Sequence, residues 1–379
     1  MDGDCTAIPL EELHEYVASL VQSLQWDPSE STSASNELSR SLQDDFVEAL
    51  TEISALPSES IDMEVRRLLV DFGNEGDGFA SRSAPHLDNL VAALSCRDVL
   101  LKCKAANAIG SICTSRVAGQ RLLELKGDAL LQSLIKMATC KNTWAQGDAF
   151  FVLGWIVVIA DEEILNRLRR LVHTATRLLH KSLMQSTSSG SSSRAPKKRR
   201  ARCEDGESAD DGAQDGEPSE EEANRRIYCL VFLLNLSHRD PAALEGAWEP
   251  LVSALSALLR RLARDLSLRM AMRSSREDSN DSVNDQDDSP LCDATEWPEL
   301  LRLTVTILCS LVLHVDAAAP KMSDAEMFAE LQNLRLDLDR EEAQMIFEAD
   351  DVVDAQERLQ ALLEALASRD HGHGDARLT

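Results

Sequence analysis

Apolar residues fall along the chain in short, regularly placed cores. Four five-residue runs stand late in stretches of helical periodicity: "AIGSI" (Ala108–Ile112), "VLGWI" (Val152–Ile156), "FLLNL" (Phe232–Leu236) and "ILCSL" (Ile307–Leu311). A weaker fifth, "LLVDF" (Leu68–Phe72), precedes them. Phe72 and Ile112 are 40 residues apart, and Ile112 and Ile156 are 44 apart. The next spacings, 80 and 75, fall to 43 and 52 once the tracts Ser186–Glu222 (37 residues) and Arg273–Thr295 (23 residues) are set aside. A period of roughly 40–47 residues is that of two- or three-helix solenoid repeats.

Within each period the layout recurs. A polar turn follows the core, then a charged helix ("GQRLLELKG", "DEEILNRLRR"), then an amphipathic one ("DALLQSLIKMA", "RLVHTATRLLHKSL", "EPLVSALSALLRRL"). Leu130, Leu134 and Met137 recur at i, i+4, i+7, one stripe of a helix. The two tracts are rich in Ser, Asp, Glu and Gly and poor in large apolar residues, which predicts disordered inserts within the repeat array. After Pro320 the pattern is again helical, as a terminal cap with a polar outer face requires. The predicted organisation is an N-terminal helical segment and linker (1–44), repeats (45–185), a basic/acidic insert (186–222), repeat continued (223–272), an acidic insert (273–295), a further repeat (296–324), a helical cap (325–370) and a tail (371–379).

Composition sharpens this. A 44% hydrophobic fraction builds a core, and aromatics are only 4%. Helix formers dominate and strand formers are scarce, so the chain reads all-α. A net charge of −26 argues against nucleic acid as the partner and toward proteins with basic segments. Nine cysteines are scattered without a CxxC pair, the pattern of free thiols in a reducing compartment. The N-terminus "MDGDCTAIPLEELHEY" is acidic where a signal peptide is basic, and the longest apolar run, Ala149–Ala160 between Asp148 and Asp161, is too short to span a bilayer. A soluble intracellular protein, with no membrane partner, is expected.

A serine-hydrolase elbow, a phosphate loop and an HExxH helix are missing from the sequence. "GNEGDG" (Gly73–Gly78) follows a helix and reads as a turn. "DSNDSVNDQDDS" (Asp278–Ser289) lacks the glycine and terminal glutamate of a calcium loop, and His371 with His373 has no further ligand. No catalytic residue, cofactor or metal is expected.

"DNLVAALSCRDVLLKCKAANAIGSIC" (Asp88–Cys113) and "IYCLVFLLNLS" (Ile227–Ser237) resemble armadillo-type repeats, over roughly 45–324. The resemblance implies a right-handed α-solenoid of about five repeats whose core-motif helices line a binding groove. Asn107, Ser111, Phe151, Trp155, Asn235 and Ser310 are its candidate lining residues, although Trp155 also fits a core position. Import receptors of this fold carry a ladder of Trp and Asn. Here the asparagine position reads Ser111, Trp155, Asn235 and Ser310, and the tryptophan position reads Asn107, Phe151, Val231 and Thr306, so the ladder is missing. "NAIGSICTSRVAGQRLLELKG" is loosely similar to the armadillo-type GDP-dissociation stimulators of small GTPases.

Charge runs complete the picture. Arg167 and Arg170 precede the first insert, and Arg260, Arg261 and Arg264 precede the second. They form basic stripes open to an acidic peptide or nucleic acid, or only solvated helix faces. "PKKRRAR", with Pro196, Lys197, Lys198, Arg199, Arg200 and Arg202, looks like a nuclear localisation signal read by an import receptor. Ser219 and Ser282 resemble acidophilic kinase sites. The function expected is a non-enzymatic scaffold or adaptor, nuclear or cytoplasmic. A GTPase regulator and a nucleic-acid-binding repeat protein are the alternatives.

Overall fold

Short polar side chains fix where the helices begin. The computed structural model describes residues 10–28, 37–57, 59–73, 84–188, 220–278, 291–322 and 325–375. Every regular element among them is helical: α1 (Leu10–Ser23), α2 (Glu37–Ala55), α3 (Ser60–Asp71), α4 (Pro85–Ala93), α5 (Val99–Thr114), α6 (Arg116–Ala138), α7 (Thr143–Ile159) and α8 (Glu162–Leu168). These are followed by α9 (Val172–Ser188), α10 (Glu220–Arg239), α11 (Trp248–Asp278), α12 (Trp297–His314), α13 (Ala318–Met322), α14 (Ala325–Leu338), α15 (Glu341–Gln344) and α16 (Ala349–Asp375). Asp98, Ser115, Asn142 and Asp161 stand just ahead of α5, α6, α7 and α8. Each accepts a hydrogen bond from the amide three residues on, at 3.2, 3.4, 2.8 and 2.9 Å. Such caps satisfy amides that have no partner inside the helix, worth about 1 kcal/mol each.

Residues Met1–Ala175 with Asn224–Gly246 form one compact unit, and Thr176–Ala223 with Ala247–Thr379 form a second. In the first unit, α5 lies between α2 and α7. The part of α10 from Asn224 onward runs along the other side of α7, with the Phe150 and Phe232 rings edge to face at 5.3 Å. A second layer holds α1, α3, α4 and α6, with α6 packed under both α5 and α7. Ile109, Ile112, Leu130, Leu134, Phe150, Leu153 and Ile156 are fully buried between the layers.

Two details depart from the sequence pattern. The charged "GQRLLELKG" and the amphipathic "DALLQSLIKMA" are one continuous helix, α6, because Gly127 only lowers helix propensity and no proline or cap interrupts it. The run "LLVDF" sits on α3, which packs against α1 and α6; the helix beside α5 is α2, carrying Phe46, Leu50 and Ile53. A five-residue apolar run reports burial but not the layer in which its helix lies.

In the second unit α12 runs between α11 and α16, and α14 packs on both α11 and α16. The 325–370 segment therefore supplies a further helical layer along α12, beyond a mere end cover. Trp297, 1% exposed, stacks on Phe347 with ring centroids 4.6 Å apart, and its indole N–H donates to the Leu262 carbonyl at 3.0 Å. Among the described residues α12 alone is long and apolar enough to cross a membrane. Its Leu300, Leu301, Leu303 and Ile307 are fully buried against neighbouring helices.

Truncating so large a buried group leaves a cavity as well as losing its transfer free energy. Trp297→Ala is expected to lower stability by about 3–5 kcal/mol, measured by equilibrium denaturation. A loss under about 1 kcal/mol would mean that the α11–α12–α15 packing does not depend on this ring.

Candidate functional site

The most apolar helix of the first unit leaves one stripe open. Trp144, Asp148, Phe151, Trp155 and Val158 recur at helical spacing along α7 and so share a face. Trp144 is 37% exposed, Trp155 is 36%, Val158 is also exposed and Phe151 is half-buried. On one side Phe151 covers Gly110 of α5 so closely that a Cβ there would collide with the ring. On the other side its ring meets Tyr228 of α10 at 5.1 Å between centroids. Leu100, Cys103 and Asn107 on α5 and Tyr228, Val231 and Asn235 on α10 continue the surface, with Leu100 66% exposed.

Asp148 sits within this stripe, yet only 8% of it is exposed. Among the described residues no cationic side chain pairs with it, and the Cys103 thiol of α5 is a near neighbour. Burial raises its pKa to about 6, only partly countered by the nearby Cys103 thiol. The nearby Tyr228 hydroxyl is pushed up by burial and by the Asp148 charge. Burial also raises the Cys103 thiol, with Asp148 adding to it, and pushes Cys113 up to about 12. Thiols held protonated in this way are poor nucleophiles.

The other sequence candidates divide clearly. Asn107, Phe151, Trp155 and Asn235 come together on the face, and Trp155 is not the core residue that its apolar surroundings suggest. Asn235 also ties the layer together, its amide donating to the Gly154 carbonyl at 3.0 Å. Ser111 is a correction: it is 6% exposed and its hydroxyl accepts from the Arg66 guanidinium at 3.1 and 3.4 Å. Arg66 is itself anchored on the Leu56 and Pro57 carbonyls, so Ser111 serves packing. Ser310 lies half-buried on α12 in the second unit, where the neighbouring Thr306 hydroxyl accepts from Arg358 of α16 at 3.0 Å. Asp148, which the sequence reading used only to mark the end of an apolar run, is the residue it missed. The available signal was its spacing, four residues after Trp144 and three before Phe151.

Carboxylates lie against the arginine stripes. Arg167 pairs with Asp128 at 2.5 Å, and Arg260 grips Glu330 through its Nε at 2.8 and 3.1 Å. Arg170 and Arg264 are exposed, and Arg261 is half-buried near Asp265. Arg260 and Arg264 border a groove of about 660 Å³ whose other side carries Glu326, Glu330 and Asp337. The basic run at 196–202, Ser219 and Ser282 lie outside the described residues.

No family profile matches the sequence, and no curated protein matches it. Among solved structures, an engineered protein is 16% identical, with a TM-score of 0.50 over 93% of this chain and 97% of its own. A designed armadillo repeat protein is 15% identical, with a TM-score of 0.49 over 92% of this chain and 99% of its own. Kap121p bound to RanGTP is 10% identical, with a TM-score of 0.27, and 40% of that chain is covered. At such identities the likeness speaks for fold alone. Among its described residues the chain is all-α, with helices stacked in layers within each unit as in an α-solenoid.

Asp148 makes a direct stability test. Its folded pKa lies above the ordinary carboxylate value, so the folded state holds more protons between about pH 4 and pH 6. Stability therefore falls as pH rises through that window. Asp148→Asn removes the cost, and the variant's advantage is expected to grow from near zero at pH 4 to about 3 kcal/mol at most above pH 7. Denaturant titrations of both proteins across this range measure it. An Asn variant less stable than the parent at pH 7.5 would show the carboxylate to be structurally satisfied.

Proposed function

We propose that this chain is a non-enzymatic protein-binding scaffold that holds a partner segment on the α5–α7–α10 face and acts in the nucleus or shuttles to it. The observation that carries the reading is the open aromatic stripe Trp144–Phe151–Trp155 on a helix whose other sides are sealed. Aromatic residues left at a surface beside a packed core are the usual anchors of protein interfaces. Helical repeats supply such faces without chemistry of their own, and the raised thiols nearby do not add any. The nuclear part rests on the run Pro196–Arg202, whose clustered Lys and Arg suit an import receptor.

The test is affinity capture with the tagged full-length protein beside a Trp144→Ser/Trp155→Ser variant, with circular dichroism as the folding control. Partners captured by the parent are expected to be lost from the folded variant. Undiminished capture would overturn the choice of face. Replacing Lys197, Lys198, Arg199 and Arg200 with Ala is expected to shift the protein toward the cytoplasm in imaging, and an unchanged distribution would remove the nuclear part.

A further inference from the structure

We propose that the α5–α7–α10 face takes an arginine side chain of its partner at Asp148, with the guanidinium paired to the carboxylate and lying against the Phe151 and Tyr228 rings. This rests on the scaffold reading above and names the chemistry that the face recognises.

Three independent features converge on one spot. Asp148 is a nearly buried acidic residue on α7, and no cation of the described chain compensates its charge. Burial leaves it less water than a surface carboxylate has to offset that charge. The same stripe carries Trp144 one turn before it and Phe151 one turn after, and Tyr228 meets Phe151 from α10. Aromatic faces and a carboxylate around one point form a receptor for a cation. Finally, the whole chain carries a charge of −26, which draws basic segments toward it.

Arginine fits this spot better than lysine. A guanidinium is planar, less strongly hydrated than an ammonium, able to stack on aromatic rings and able to give a carboxylate two parallel hydrogen bonds. An ammonium would have to shed more of its hydration to reach a residue that is only 8% exposed. Cys103 on α5 and Tyr228 on α10 are the titratable groups that interact with Asp148, Lys102 and Cys140 lie within reach of Cys103, and Arg225 of α10 packs against the neighbouring Gly147. Arg225 donates to the Gln146 side chain at 2.8 Å. Cys103 and Tyr228 both titrate above their ordinary values, so between pH 5 and 7 Asp148 is the group at this spot that changes charge.

The experiment titrates the full-length protein with two blocked peptides, one alternating glycine and arginine and one alternating glycine and lysine. Binding is followed through the fluorescence of the exposed tryptophans. The arginine peptide is expected to bind more tightly, and to weaken about tenfold between pH 7 and pH 5 as Asp148 takes up its proton. Asp148→Asn, nearly the same shape, is expected to lose about tenfold at pH 7 and all of that pH dependence. Phe151→Leu is expected to erase the preference for arginine while leaving the pH dependence in place.

Equal affinity for the two peptides, an Asn variant that binds like the parent, or no saturable signal would each overturn the proposal. If that happens while the tryptophan variant still loses its captured partners, the scaffold reading stands and only the arginine assignment fails. If the tryptophan variant loses nothing, the face itself was wrongly chosen.

Discussion

The seating of α7 between α5 and α10 is the constraint on which the first unit depends. A Cβ at Gly110 would collide with Phe151, and one at Gly147 would come within 3.3 Å of the Arg225 backbone. Absent side chains at these two points let three helices lie close enough to share a layer. That closeness brings the Phe151 and Tyr228 rings together and seals both flanks of α7. With α6 packed beneath, only the Trp144–Val158 stripe is left to face outward. The open face is thus what remains after the packing demands of an unusually apolar helix have been met.

Electrostatics single out the same helix. Arg121 meets Asp71 and Glu124, Lys126 meets Asp88, Arg167 meets Asp128, and Arg169 meets Asp240 and Glu162. Pairs of this kind at a surface add little stability, but they neutralise the cations of an acidic chain locally. A nucleic-acid partner would need those arginines for its phosphates, and each pair in use makes that harder. Asp148 is the contrasting case, a nearly buried acidic residue on the open stripe with no cation paired to it among the described residues.

The helices were legible in the sequence because burial imposes a 3.6-residue rhythm and caps such as Asp98 and Asn142 mark their beginnings. The roughly 40-to-50-residue spacing of the core runs becomes visible across the two long tracts once those tracts are set aside. Which layer a helix joins was not legible: Leu68–Phe72 and Phe46–Ile53 are both apolar runs, and only the observed packing puts α2, and not α3, beside α5. Site residues followed the same division. Asn107, Phe151, Trp155 and Asn235 could be placed by their phase on the core-motif helices. Ser111 could not, because its commitment depends on Arg66, 45 residues away in sequence. Asp148 was hidden by its surroundings, as a single charge at the end of an apolar run looks like a boundary.

That charge is better understood as a conflict between folding and recognition. A carboxylate removed from water, with no cation beside it, weakens the free protein whenever the pH is high enough to ionise it. The partial desolvation that imposes this cost also means that an arriving cation meets a carboxylate with aromatic side chains beside it and less competing water than at an open surface. Coulomb attraction there is several times stronger than between two exposed charges. A surface pair such as Arg121–Glu124 offers no comparable gain, because water competes for both members. The residue that weakens the fold is therefore the one on the face best able to reward a basic partner, and the aromatic stripe around it decides which basic side chain collects that reward.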